Sequence, residues 1–192
     1  MKNLKWIKKP LRLANFGLIP ASEFNVSTWD GNNGTVYVDE PVESFAKSGH
    51  IVKSLSELKY DLDNHFQKGG LLLGHNIKGF DLPILRDSMD IYCINKYIKE
   101  EKFIDTSRIL LKEHGERFQL KNLVKCTMDD FKLMDSADAP KLWKMGQYDE
   151  VVEYCMKDTQ LVYDLWKYGQ DNGIVKAFSL EKGEHKDLEV KW

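Results

Sequence analysis

The sequence predicts an α/β protein with a central mixed β-sheet flanked by helices, and three observations carry that prediction. Two β-prone runs, EFNVSTW and TVYVDE, are joined by DGNNG, whose Asn and Gly residues tolerate the positive φ of a tight hairpin. A short apolar run, LLLGHN, reads as a fully buried strand and follows a segment of helical spacing. Mostly helical segments come after it. Hairpin, helix, buried strand and then helices is an α/β order.

Taken in order, LRLANFG reads as the first core strand, apolar at Leu11, Leu13 and Phe16. The hairpin strands follow. SLSELKYDLDNHFQKG places Leu55, Leu58, Leu62 and Phe66 at helical spacing and stops at Gly69–Gly70. Beyond the buried strand, DLPILRDSMD, TSRILLKEH, LKNLVKC and the long QYDEVVEYCMKDTQLVYDLWKYGQDNG read as helices. KDLEVKW reads as a closing strand.

A chain of 192 residues is expected to be one domain, spanning 1–192, long enough to bury a full core. Residues 1–10 carry Lys2, Lys5, Lys8 and Lys9 without an acid, and Arg12 follows. That run reads either as a solvated basic N-terminal arm or as a phosphate-contacting one. The formal net charge of −2 gives no global field that would draw nucleic acid or a membrane. The three cysteines, Cys93, Cys126 and Cys155, lack CxxC spacing, which argues against a disulfide framework and a zinc site. Together with the lack of any ~18-residue apolar run or signal-peptide pattern, this predicts a cytoplasmic protein with no membrane partner.

Two acids stand out. In the long helical segment, at about 100° per residue, Val151, Cys155, Val162 and Leu165 form one apolar stripe. Asp158 falls in the middle of it, whereas Asp164 falls on the opposite, polar face with Glu153, Lys157 and Gln160. An unpaired buried carboxylate costs several kcal/mol, so Asp158 requires a cation, a hydrogen-bond network or a shifted pKa. Tyr154 lies one turn earlier on the same face. The second acid, Asp81, follows the Gly-His-Asn turn and precedes Pro83. There it reads as the N-cap of a helix, a role compatible with metal binding because a carboxylate has two oxygens. Hard oxygen ligands without a His or Cys cluster point to Mg²⁺ or Mn²⁺.

HNIKGFD resembles the second motif of the DEDD-type 3′–5′ exonucleases of ribonuclease-H-like fold, and YCMKD resembles their third motif in its tyrosine (DEDDy) form. From FIDTSRILLKEHGERFQLKNL onward the chain is similar to the narrower YprB-type ribonuclease-H-like domains often found beside helicases. The resemblance covers residues 71–192 well and 11–45 in outline. It implies a metal-dependent nuclease that hydrolyses the phosphodiester bonds of DNA or RNA with two Mg²⁺ or Mn²⁺ ions. By position, Asp81 and Asp158 match metal-binding acids, and Tyr154 matches the tyrosine that orients the attacking water. Asn76 and Phe80 match residues that shape the site and touch the terminal nucleotide. Lys132 matches a lysine of the narrower group, with a solvated loop lysine as the alternative; His75 is assigned no chemistry.

One motif departs from the family. The first strand should carry Asp-x-Glu before a Gly-Leu turn, yet in LRLANFGLIP those positions hold Arg12 and Ala14. A cation in place of a metal-bridging acid opposes metal binding and could instead meet a carboxylate or a phosphate. The sequence therefore leaves three expectations: an impaired exonuclease, a non-catalytic pseudo-nuclease gripping single-stranded 3′ ends, or a scaffold for a helicase or another replication or repair protein.

Overall fold

The computed structural model describes residues 4–8, 25–29, 32–38, 51–134 and 138–192, with the backbone path alone at 4–8, 25, 26 and 29. The strands are β1 (Leu4–Lys8), β2 (Asn25–Trp29), β3 (Gly34–Val38), β4 (Ile51–Ser54), β5 (Leu71–Gly74), β6 (Phe103–Asp105), β7 (Ile174–Ser179) and β8 (Glu184–Glu189). The helices are α1 (Leu55–Gln67), α2 (Asp81–Asp87), α3 (Ile94–Lys99), α4 (Thr106–His114), α5 (Leu120–Met128), α6 (Ala139–Lys144) and α7 (Tyr148–Asn172). The class is α/β with a mixed sheet.

Six strands pair in the order β4-β3-β2-β1-β5-β6. β1, β2 and β3 form an antiparallel meander, with Trp6 opposite Trp29 and Ser27 opposite Val36. β5 continues parallel to β1, with Trp6 in register with Leu73, and β6 continues parallel to β5. Side chains alternate across a strand, so successive residues serve opposite faces. Tyr37 and Leu72 join the core under α1, α2 and α3. Val36 and Val38 meet Val152 and Met156 of α7, and Leu73 joins the core shared by α4, α5, α7, β7 and β8. A strand covered on both faces reads as unbroken hydrophobicity, which is why LLL could be recognised.

Local chemistry sets the boundaries. Ser54 and Glu57 form a reciprocal capping box that starts α1. Gly173, at φ 72°, ends α7 and turns the chain directly into β7.

The N-terminal expectations change here. The strand that lies between β2 and β5 is Leu4–Lys8, within the run read as a basic arm, and it is paired on both sides. LRLANFGLIP, with Arg12 and Ala14, lies outside the described residues. The closing strand exists as Glu184–Glu189, but it pairs with β7 in a separate two-stranded sheet.

Candidate functional site

Asp158 sits at the centre of the buried stripe of α7 and is 0% exposed. Lys132 supplies its counter-charge: the ammonium lies 2.7 Å from Asp158 Oδ2, with the lysine side chain only 14% exposed. The same Nζ donates to the Tyr154 hydroxyl at 2.9 Å and stands 5.1 Å from the centre of the tyrosine ring. Tyr154 is buried one helical turn before Asp158, as the i, i+4 spacing requires.

The segment that carries Lys132 runs along α7. Asp130 pairs with Lys157 at 2.8 Å, Lys132 with Tyr154 and Asp158, and Met134 packs on the cluster of Val151, Tyr154 and Cys155. Residues 130, 132 and 134 thus turn toward the helix, while Phe131 and Leu133 are exposed, as a period of two dictates. The Lys157 hydrogen bond holds the Asp130 carboxyl below its ordinary range. Lys132 is therefore a partly buried counter-ion; the solvated-lysine alternative does not describe it.

Asp164 does not behave as an idle surface acid. It is half-buried, and desolvation pushes its carboxyl above the ordinary range despite the opposing field of Lys157. The helical wheel placed it correctly relative to Asp158 but could not show that neighbouring elements shield that face.

The second cluster surrounds the turn after β5. Asn76 adopts φ 64°, a left-handed conformation that Asn tolerates. This aims the amides of Asn76 and Lys78 at Asp105, which accepts them at 2.9 and 3.1 Å. Asp105 also N-caps α4 by accepting from the Arg108 amide at 3.2 Å. Gly79 is required by proximity, since a Cβ there would stand 2.7 Å from Asn76 Oδ1. His75 has a structural role: its Nε2 lies 2.9 Å from the Phe118 carbonyl and its Nδ1 3.0 Å from Thr106 Oγ1. A carbonyl only accepts, so Nε2 carries the proton.

Asp81 is buried and opens α2, but the N-cap position belongs to Phe80, which makes no side-chain cap bond. The capping role expected of Asp81 is thus not found at that position. The acid that sequence reading missed is Asp105. Its signal was the Asp-Thr-Ser step between a short β run and a helical one, a helix-start pattern.

The structure joins Lys132, Tyr154 and Asp158 directly, and separately joins Asn76 to Asp105. Among the described residues, no three His, Cys, Asp or Glu side chains group as a metal site. With Lys132 on Asp158 Oδ2, a divalent ion at that oxygen would meet an ammonium within a few Å. These residues therefore do not fit a two-ion centre.

No known family model matches the chain, and no curated protein sequence matches it. The fold defines an α/β protein with a mixed sheet. No helix among the described residues is long and apolar enough to cross a membrane.

Proposed function

We propose that the chain is a 3′–5′ exonuclease-family domain of ribonuclease-H-like fold whose metal site has degenerated. It grips single-stranded ends of DNA or RNA and hydrolyses them poorly or not at all. The observation that carries this reading is the 2.7 Å contact of Lys132 with the fully buried Asp158, one turn beyond a buried Tyr154. An acid in that position needs a cation, and here a side chain of the protein provides it.

The wider architecture supports the same reading. A mixed sheet runs through the centre, Asp81 follows a buried strand, and the Tyr-x-x-x-Asp turn lies on a late helix packed against β1, β2, β3 and β5. The family pattern asks for Asp-x-Glu on the first strand. Neither Leu-Lys-Trp-Ile-Lys in β1 nor the Arg12–Ala14 stretch supplies an acid. In this reading Asn76 and Phe80 line the path of the terminal nucleotide. Lys132 holds Tyr154 and Asp158 in place, and Arg12 meets a phosphate.

The test combines binding and cleavage on a 3′-labelled single strand. The expected result is binding that persists in chelator, weakens steeply with salt, and releases no mononucleotide with Mg²⁺ or Mn²⁺. Release that chelator abolishes would show a competent nuclease and overturn the degenerate-site reading. No binding at low salt would overturn the nucleic-acid reading itself.

A further inference from the structure

A groove of about 540 Å³ lies between α1 and the start of α3, and the functional reading above makes no use of it. α1 contributes Ser56, Lys59, Tyr60 and Asp63, at i, i+3, i+4 and i+7, so one helical stripe faces the groove. Tyr92, Cys93 and Lys96 form the other wall. The two tyrosines are 72% and 63% exposed, an uncommon degree for large aromatic rings beside a concavity. Cys93 is buried, and its desolvated thiol is pushed up in pKa, so it presents an uncharged surface.

The charges are sorted as well. Lys96 pairs with Asp63 at 2.8 Å and lies 5.9 Å from the Phe66 ring centre, so its ammonium is committed. Lys59 is exposed and enters no ion pair among the described residues. The Tyr92 hydroxyl donates to Asp90 at 3.3 Å, which restrains that ring. Two accessible aromatic faces, an apolar wall and one uncommitted cation match a planar aromatic ligand carrying a single anionic group.

We propose that this groove binds one nucleotide unit, its base stacked on Tyr60 and Tyr92 and its phosphate at Lys59. The volume lies within the range of small-molecule sites. Base-on-aromatic stacking combined with a nearby cation is the general chemistry by which single nucleotides are held without sequence preference. This site is distinct from Asp158 and Lys132, and it stands or falls independently of any hydrolytic role. A free nucleoside monophosphate and a nucleotide within a single strand share this chemistry.

The test titrates AMP and, in a second arm, a short oligoadenylate into the full chain, followed by amide chemical shifts. Adenosine serves as the phosphate-free control. Shifts should be centred on α1 and α3. Tyr60→Ala and Tyr92→Ala should each weaken binding about five-fold or more. Both rings are exposed, so the circular dichroism spectrum should be unchanged. Lys59→Ala should bring the affinity for AMP down toward that for adenosine. The arm that shows the tyrosine-dependent binding identifies the source as free nucleotide or strand. No binding of either probe at millimolar concentration, or binding unchanged in both tyrosine variants, overturns the proposal.

Discussion

Asp105 and Asp158 are both buried carboxylates, yet the molecule satisfies them by opposite means. Asp105 accepts three main-chain amides, from Asn76, Lys78 and Arg108, none of which can leave without unfolding a turn or a helix start. Asp158 Oδ2 meets the ammonium of Lys132, at the end of a flexible stem on a segment between helices. A ring of amides is a permanent solution, because the backbone is fixed by everything else that folds. A lysine side chain is placed only by tertiary packing. The first arrangement belongs to the backbone scaffold, and the second depends on how the segment that carries Lys132 packs on α7.

The largest effect is expected at the scaffold acid. Asp105→Ala removes the acceptor for three partly or fully buried amides at once, and hydrogen bonds to charged groups are the strong ones. The stability loss should be roughly 3 kcal/mol in urea unfolding. Exchange of the Asn76 and Lys78 amides should accelerate more than that of α1. A loss below about 1 kcal/mol would erase the distinction drawn between the two acids.

Lys132→Ala should cost about as much, roughly 3 kcal/mol, because it leaves a fully buried carboxylate without its counter-charge. Asp158→Asn should recover much of that loss in the Lys132→Ala background, since the uncompensated charge is then gone. The coupling in a double-mutant cycle should exceed that of the exposed Lys96–Asp63 pair. Equal coupling would mean that burial of Asp158 adds nothing to its dependence on Lys132.

Much of this contrast was readable in the sequence, though unevenly. The wheel position of Asp158 announced a buried acid because its neighbours are Val, Cys and Leu at helical spacing. The identity of its counter-ion was not readable, because Lys132 is 26 positions away and reaches α7 only through tertiary packing. Resemblance flagged that lysine, while local pattern gave no reason to prefer it over any other. The hairpin, α1 and β5 were legible from turn chemistry, capping and hydrophobic runs. β6, three residues long, gave no periodicity to detect. β7 was overlooked although IVKAFS is β-prone, because the helical pattern ran straight up to Gly173. β1 falls at Leu4–Lys8, where Leu4, Trp6 and Ile7 are interleaved with lysines of the run that reads as a basic arm, and LRLANFG lies outside the described residues.

A third carboxylate on α7 sharpens the comparison through pH. Asp164 has a folded pKa above its ordinary value because burial disfavours its charge. The folded state therefore binds its proton more tightly, and stability falls as pH rises through the carboxylate range. Asp130, held low by Lys157, acts in the opposite sense: its contribution is present above its unfolded pKa and is lost as pH falls through the folded one. Asp164→Asn should raise the melting temperature at pH 7 and change little at pH 3. Asp130→Asn should lower it at pH 7, with the difference shrinking on acidification. Parallel shifts of both variants with pH would show that the two carboxyls do not differ as their surroundings require.

The smallest effect is expected at a buried polar atom that no described residue compensates. Ser27 lies in β2 opposite Val36, on the sheet face that packs against α7, and it is fully buried. Its hydroxyl has no hydrogen-bond partner among the described residues. Asp105 keeps its three amides and Asp158 Oδ2 keeps its lysine, so at those two atoms truncation removes a satisfied contact. At Ser27 truncation removes an unmet demand, and a buried hydroxyl without a partner costs more than a methyl in the same place. Ser27→Ala should leave stability unchanged or raise it by up to about 1 kcal/mol in urea unfolding. A loss instead of a gain would mean that the hydroxyl answers to a group on the α7 side, and that this face of the sheet is more polar than its Val36, Val38 and Met156 contacts indicate.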